Sequence, residues 1–117
     1  MAVTLFRIAA ALCLLAVGLG AFGAHALKST LQGNGMLEVW NKAVLYHFLH
    51  AIALLVLALH ATGNRAAYYL IAAGIVLFSG SLYALALTNV RWLGAITPIG
   101  GLCFLAAWAW LIISPKL

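Results

Sequence analysis

Four long stretches without a charged residue divide this sequence, and they decide which folds are open to it. Cutting the chain at its charges leaves runs of 20, 22, 25 and 24 residues. A hydrocarbon core of about 30 Å is crossed by about 20 helical residues that rise about 1.5 Å each. Each run is therefore long enough to cross a bilayer. The runs are residues 8–27, 43–64, 66–90 and 92–115.

Composition excludes a water-soluble fold. Hydrophobic residues make up 68% of the 117 residues and charged residues only 6%, with a mean hydropathy of +1.19. Lipid offers no partner to an unpaired backbone amide or carbonyl, so the crossing segments must be helices. The sequence therefore predicts one all-α domain over residues 1–117, an integral membrane bundle of four transmembrane helices.

Turn signals place the ends of these helices. We expect helices at about 4–27, 36–61, 66–88 and 92–114, a tight turn at 62–65 and an interfacial connection over 28–42. Short connections favour antiparallel neighbours, so the bundle is predicted as two antiparallel hairpins with both termini on one side. Three basic residues fall on each side, which leaves the orientation open. Side A holds Arg7, Arg65 and Lys116, and side B holds Lys28, Lys42 and Arg91.

Small residues recur at helical spacing and predict close helix packing. One stripe lies in the first helix and another in the third. His25 and Gly18 fall on a different face of the first helix, about 100° or more from its stripe. The candidate packing residues are Ala16, Gly20, Ala24, Gly80 and Ala84.

Three further positions carry local predictions. Asn34 is expected to cap the helix that begins near residue 35. Pro98 either kinks the fourth helix or starts it with Thr97 as the N-cap. Trp108 and Trp110 are expected at the far membrane interface.

Polar residues gather at side B and form the candidate ligand site. His47 and His50 share one helix face because steps of three residues return to the same side. Ionisable residues within a membrane are candidates for function. The candidate cluster is His25, Glu38, Tyr46, His47, His50, Asn89 and Arg91.

Several chemistries fit this cluster. The metal candidates His25, His47 and His50, with Glu38, suit zinc or a similar ion, although no established metal-binding motif supports the spacing. One further alternative is haem held between His25 and either His47 or His50. Another is a quinone or lipid headgroup that accepts hydrogen bonds from these histidines beside Tyr46 and Trp92. The structural alternative is that the histidines bind neighbouring backbone, water or Glu38 and hold helices together.

Other function classes lack support in the sequence. The net charge of +5 comes from scattered lysines and arginines without a basic cluster, so it indicates headgroup anchors and no nucleic acid partner. No serine has a plausible base and carboxylate beside it, and three helices lack internal charges that would line a pore. The sequence assigns no catalytic residue and no cofactor.

Four motifs, in chain order, resemble the domain-of-unknown-function family 423. The resemblance covers nearly the whole chain and implies a small four-helix protein of the bacterial inner membrane or its mitochondrial equivalent, with no assigned reaction. Lys42 stands where the family tends to have Thr, and the position of His47 is often Gln. A metal site that required His47 would then not be a general property of the family. The motifs are GAFGAHAL at 20–27, AVLYHFLHA at 43–51, GSLYAL at 80–85 and GAITPIGG at 94–101.

The sequence therefore favours an accessory subunit, or a self-associating component, of a membrane assembly. Its expected partners are the lipid bilayer and either other membrane subunits or further copies of itself. The alternative function is a ligand-binding or redox protein that uses the side-B histidines.

Overall fold

The chain folds into helices that run up and down in one elongated bundle. A computed structural model describes residues 2–60 and 64–116, and within these residues no strand is present. The helices are α1 (Ala2–Ala24), α2 (Lys28–Gly33), α3 (Leu37–Leu59), α4 (Arg65–Gly74), α5 (Ser81–Thr88) and α6 (Thr97–Ile113). A π-helical turn, Ile75–Gly80, joins α4 to α5, and a 3₁₀ turn, Arg91–Ala95, precedes α6.

Four helical segments, called spans 1 to 4 below, are long and apolar enough to cross a membrane. This confirms the predicted all-α membrane fold. Each has 23 or 24 residues, about 35 Å at helical rise. Span 1 is α1 and span 2 is α3, whereas spans 3 and 4 each include a non-α turn. Span 3 is Arg65–Thr88 and span 4 is Arg91–Ile113.

Hydrogen bonds between the ends of the spans fix their directions. The Trp40 indole at the start of span 2 donates to the carbonyl of Leu19 near the end of span 1, at 2.9 Å. The Asn64 amide, just before span 3, donates to the carbonyl of Ser114, just after span 4, at 3.0 Å. Spans 1 and 2 therefore run antiparallel, and so do spans 3 and 4. The bundle measures 46 × 25 × 18 Å.

Glycines create the closest approaches between spans. A Cβ on Gly100 would lie 2.2 Å from the backbone nitrogen of Phe78, so the backbones of spans 3 and 4 touch there. A Cβ on Gly74 would lie 2.4 Å from the ring of Phe104. Gly80, expected to pack, has open space where a Cβ would point, and Ala84 is half-buried. In span 3, Gly74 and the backbone at Phe78 therefore make close contacts with span 4 that the sequence analysis did not predict.

Span 1 packs through a stripe that only partly matches the prediction. Ala16 is buried as expected, and a Cβ on Gly20 would meet Val44 at 3.3 Å. Ala24, however, is exposed, and Gly23 takes its place against the Trp40 indole, where a Cβ would lie only 2.3 Å away.

The connection at side B contains more structure than predicted. Residues 28–33 form α2, which the sequence analysis did not predict, whereas α3 begins at Leu37, one residue after the predicted start of the second helix. The prediction that Asn34 caps α3 is wrong, because Met36 holds that position. Asn34 follows the last turn of α2 instead, and its amide donates to the carbonyl of Ala86 at 2.9 Å. Asn34 therefore ties the connection to span 3.

Two further predictions concern the turn at 62–65 and the start of the fourth helix at Pro98. The end of the second helix at 61 and most of the turn at 62–65 lie outside the described residues. Within them, Asn64 caps α4 by accepting from the Ala67 amide at 3.3 Å.

Pro98 does not kink a continuous fourth helix. It lies in the first turn of α6, where its missing N–H costs nothing, although Ile96 holds the N-cap position expected for Thr97.

Candidate functional site

The residues predicted to form the side-B cluster lie in different surroundings. His25 and Glu38 are exposed near the ends of their helices, whereas His47 and His50 are buried along α3. By helical rise His50 lies about 20 Å from the first residue of α3, so it sits deep in span 2. Within residues 2–60 and 64–116, no group of three or more His, Cys, Asp or Glu side chains could hold a metal ion.

His50 is bound through both ring nitrogens. Its Nδ1 lies 2.8 Å from the carbonyl oxygen of Tyr46, which can only accept, so Nδ1 carries the proton. Its Nε2 then accepts from the indole N–H of Trp108 at 3.0 Å. The ring also stacks on Phe104, with centroids 3.7 Å apart and planes 13° apart. His50 is therefore a neutral side chain that joins spans 2 and 4 and has no lone pair left for a metal.

His47 joins spans 2 and 3. Its Nδ1 shares a hydrogen bond of 2.8 Å with the hydroxyl of Tyr83, whose ring packs against Trp40. The His47 ring also faces the backbone of Leu12 in α1. Its Nε2 is buried and makes no hydrogen bond to any atom of the described residues. His47 thus contacts three spans from one position, as a packing residue does.

Asn89 and Arg91 lie at the side-B turn between spans 3 and 4. Asn89 adopts a left-handed backbone conformation, φ 57°, at the end of α5. Its backbone N–H donates to the carbonyl of Leu85 at 2.7 Å. Asparagine tolerates this conformation better than most residues, so Asn89 has a local role as a helix cap. Both side chains are exposed.

Two serines in span 3 bind neighbouring spans. Ser79 is fully buried, and its hydroxyl donates to the carbonyl of Ala43 at 2.8 Å. Ser81 donates to the carbonyl of Phe78 and lies 2.7 Å from the hydroxyl of Thr97, which therefore donates to it. The π-helical turn and the start of α6 are held together at this point.

Aromatic rings line a feature with the size of a ligand site. A lateral groove of about 560 Å³ lies between α3, the π-helical turn and α6. Among the predicted site residues, only Tyr46, His50 and Pro98 line it. The other lining residues are Phe78, Gly101, Leu102, Phe104, Leu105 and Trp108.

Several of these contacts have no signal in the sequence. Trp108 was expected at the far interface, and its hydrogen bond to His50 was not predicted. Ser79, Phe104 and Trp40 also hold key positions without any local motif. His50 lies on the same helix face as Leu54, and this apolar face is a signal that His50 is buried. Nothing in the sequence identifies Trp108 as its partner.

Comparison with known proteins now places the chain. The family of proteins of unknown function called DUF423 matches residues 19–101, which is more than half of the sequence. The chain belongs to this family. The DUF423 match includes all four motifs at 20–27, 43–51, 80–85 and 94–101.

Relatives in the curated record carry the same general description. The UPF0382 membrane protein of Staphylococcus haemolyticus is 50% identical over 116 residues, which cover 94% of this chain and 93% of the relative. The UPF0382 membrane protein YwdK of Bacillus subtilis is 48% identical over 107 residues, covering 86% of each chain. A UPF0382 membrane protein of Schizosaccharomyces pombe is 37% identical over 117 residues, covering 94% and 99%. No solved structure matches the chain.

These names and the four spans agree. This DUF423 member is an integral membrane protein of a family that has no assigned molecular function.

Proposed function

We propose that this protein is a small accessory or self-associating component of a membrane assembly, which acts by packing against other helices. The observation that carries this proposal is the use made of the polar side chains inside the bundle. His50, Ser79 and Trp40 each donate to the backbone of their own or another span, and His50 also accepts from Trp108. Such bonds stabilise one arrangement of four helices.

The outward face of α1 supports association. Within the apolar 18-residue stretch by which span 1 qualifies as a membrane span, only 11% of the residues are buried in the bundle. Ala10, Ala11 and Ala21 are exposed, and Gly18 has open space where a Cβ would lie. Small residues let the backbones of two membrane helices approach closely, which favours association without a hydrophobic driving force. A second copy of this chain, or another membrane subunit, would fit this face.

The proposed location follows from the relatives. We propose a bacterial cytoplasmic membrane or its mitochondrial equivalent, and relatives from bacteria and from a yeast that are named membrane proteins support this.

Native mass spectrometry from bilayer nanodiscs, with blue-native electrophoresis after gentle solubilisation, tests the proposal. We expect species heavier than the 12.4 kDa chain. Gly18→Leu should shift them toward the single chain, because its side chain enters open space on the outward face without disturbing the bundle. Val76→Leu, at a position 66% exposed on span 3, is the matched control and should leave the assembly unchanged. A strictly monomeric wild-type protein would overturn the proposal.

A further inference from the structure

The aromatic groove opens sideways into the apolar part of the membrane. Tyr46 lies nine residues after Leu37, about 13 Å along α3 by helical rise, and Phe104 lies near the middle of α6. The groove therefore lies within the hydrocarbon region, and its volume of about 560 Å³ falls in the range of small-ligand sites.

Tyr46 lines this groove and carries an unpaired hydroxyl. Its ring packs edge-on against Phe78, with centroids 5.1 Å apart, and its carbonyl accepts from His50. Its hydroxyl makes no hydrogen bond to any atom of residues 2–60 and 64–116, and the side chain is 41% exposed. A hydroxyl without a partner is costly away from water, so this O–H favours a ligand that accepts a hydrogen bond.

The walls of the groove favour a flat ligand. His50 and Phe104 stack with planes 13° apart, and Phe78 and Trp108 add two further rings. Aromatic side chains pack well against other planar systems through offset stacking. Gly101 adds no side chain to the wall, which leaves room for a ring beside the π-helical turn.

We propose that this groove binds a membrane-soluble quinone, with one carbonyl oxygen accepting from the Tyr46 hydroxyl and the apolar tail along Leu102 and Leu105. A phospholipid acyl chain would fill the volume but leave the hydroxyl unpaired. The histidines do not supply the polar contact, because both nitrogens of His50 are already bound and His47 does not line the groove. The groove involves α3, the π-helical turn and α6, so this proposal does not depend on association through α1.

Photolabelling in phosphatidylcholine nanodiscs tests it. The probe is an azido derivative of decylbenzoquinone at a fixed mole fraction, and labelled peptides are mapped by mass spectrometry. We expect label on residues 98–108 and near Tyr46. Decylbenzoquinone should compete, whereas decylbenzene, which has the same tail but no carbonyl, should compete poorly.

Two variants separate the hydroxyl from the shape of the groove. Tyr46→Phe keeps the ring and should weaken labelling about 2- to 10-fold, the range of one neutral hydrogen bond. Gly101→Leu should abolish labelling, because a Cβ at 101 lies at an ordinary 3.9 Å from Phe78 and the rest of the side chain fills the groove. Val76→Leu is the control, and near-ultraviolet circular dichroism checks that all three variants are folded.

Three outcomes would overturn the proposal. One is label spread evenly over the lipid-facing surfaces, and another is equal competition by decylbenzene or by added phospholipid. The third is unchanged labelling of folded Tyr46→Phe and Gly101→Leu variants.

Discussion

The indole N–H of Trp108 donates a hydrogen bond of 3.0 Å to Nε2 of His50, which joins the fourth span to the second inside the bundle. Since Nδ1 of His50 already donates to the carbonyl of Tyr46, the imidazole is neutral and has no free nitrogen. In the sequence, His50 is a candidate metal or haem ligand. In the fold, its imidazole joins two helices.

Replacing Trp108 tests this bridge. We expect Trp108→Phe to lower the free energy of unfolding by about 1–3 kcal/mol, because Nε2 of His50 loses its donor. Equilibrium unfolding in mixed micelles measures the change. Trp110→Phe is the control, because Trp110 is 40% exposed and makes no bond to His50, so its effect should stay within about 0.5 kcal/mol. Equal losses in the two variants would contradict the bridge.

Two adjacent glycines should respond differently to the same substitution. A Cβ at 100 would lie 2.2 Å from a backbone nitrogen and must push spans 3 and 4 apart, so Gly100→Ala should destabilise the protein by about 1–3 kcal/mol or more. A Cβ at 101 meets only a ring carbon at 3.9 Å, so Gly101→Ala should be tolerated. Thermal unfolding in nanodiscs compares them. If both variants melt like wild type, the backbone contact at Phe78 is not as close as described.

A second pair of glycines tests the packing of span 1. Gly23→Ala should displace the Trp40 indole, which is fully buried and donates to Leu19. We expect a loss of about 1–3 kcal/mol. Gly18→Ala should be neutral or slightly stabilising, since its Cβ enters open space and alanine favours a helix. The fluorescence of Trp40, in a background with the other tryptophans replaced by Phe, should shift only in Gly23→Ala.

A double-mutant cycle measures the bond between His47 and Tyr83. The variants His47→Leu, Tyr83→Phe and the double variant should be non-additive by about 0.6–1.7 kcal/mol, the size found for hydrogen bonds between membrane helices. The double variant should therefore lose less stability than the sum of the single variants. Additive losses would mean that the 2.8 Å contact contributes nothing to stability.

The four spans were predictable because charge and hydropathy act over twenty residues at a time. Lipid requires long apolar helices whatever the detailed packing, so the fold class and the antiparallel order follow from composition and turns. The ends were less predictable. Asn34 suits a cap before α3 and a tie after α2 equally well, and only the position of Ala86 in space favours the second role.

The contacts of the site depend on helix rotation, which the sequence does not encode locally. His50 and Trp108 are 58 positions apart, and nothing near either residue specifies the other. Ala24 and Gly23 are adjacent, so a rotation of about 100° exchanges which one meets span 2. The π-helical turn has no proline or other marker at Ile75–Gly80 and is stabilised by contacts with neighbouring spans.

Solid-state nitrogen NMR of His50 in lipid bilayers tests most directly the claim that this buried histidine joins two helices through both of its ring nitrogens. With His25, His47 and His60 replaced by Gln, the account predicts a neutral ring with the proton on Nδ1 and an unprotonated Nε2 that accepts a hydrogen bond. Adding zinc or haem should leave both signals unchanged. A proton on Nε2, or a shift of its signal on adding either ligand, would contradict the account.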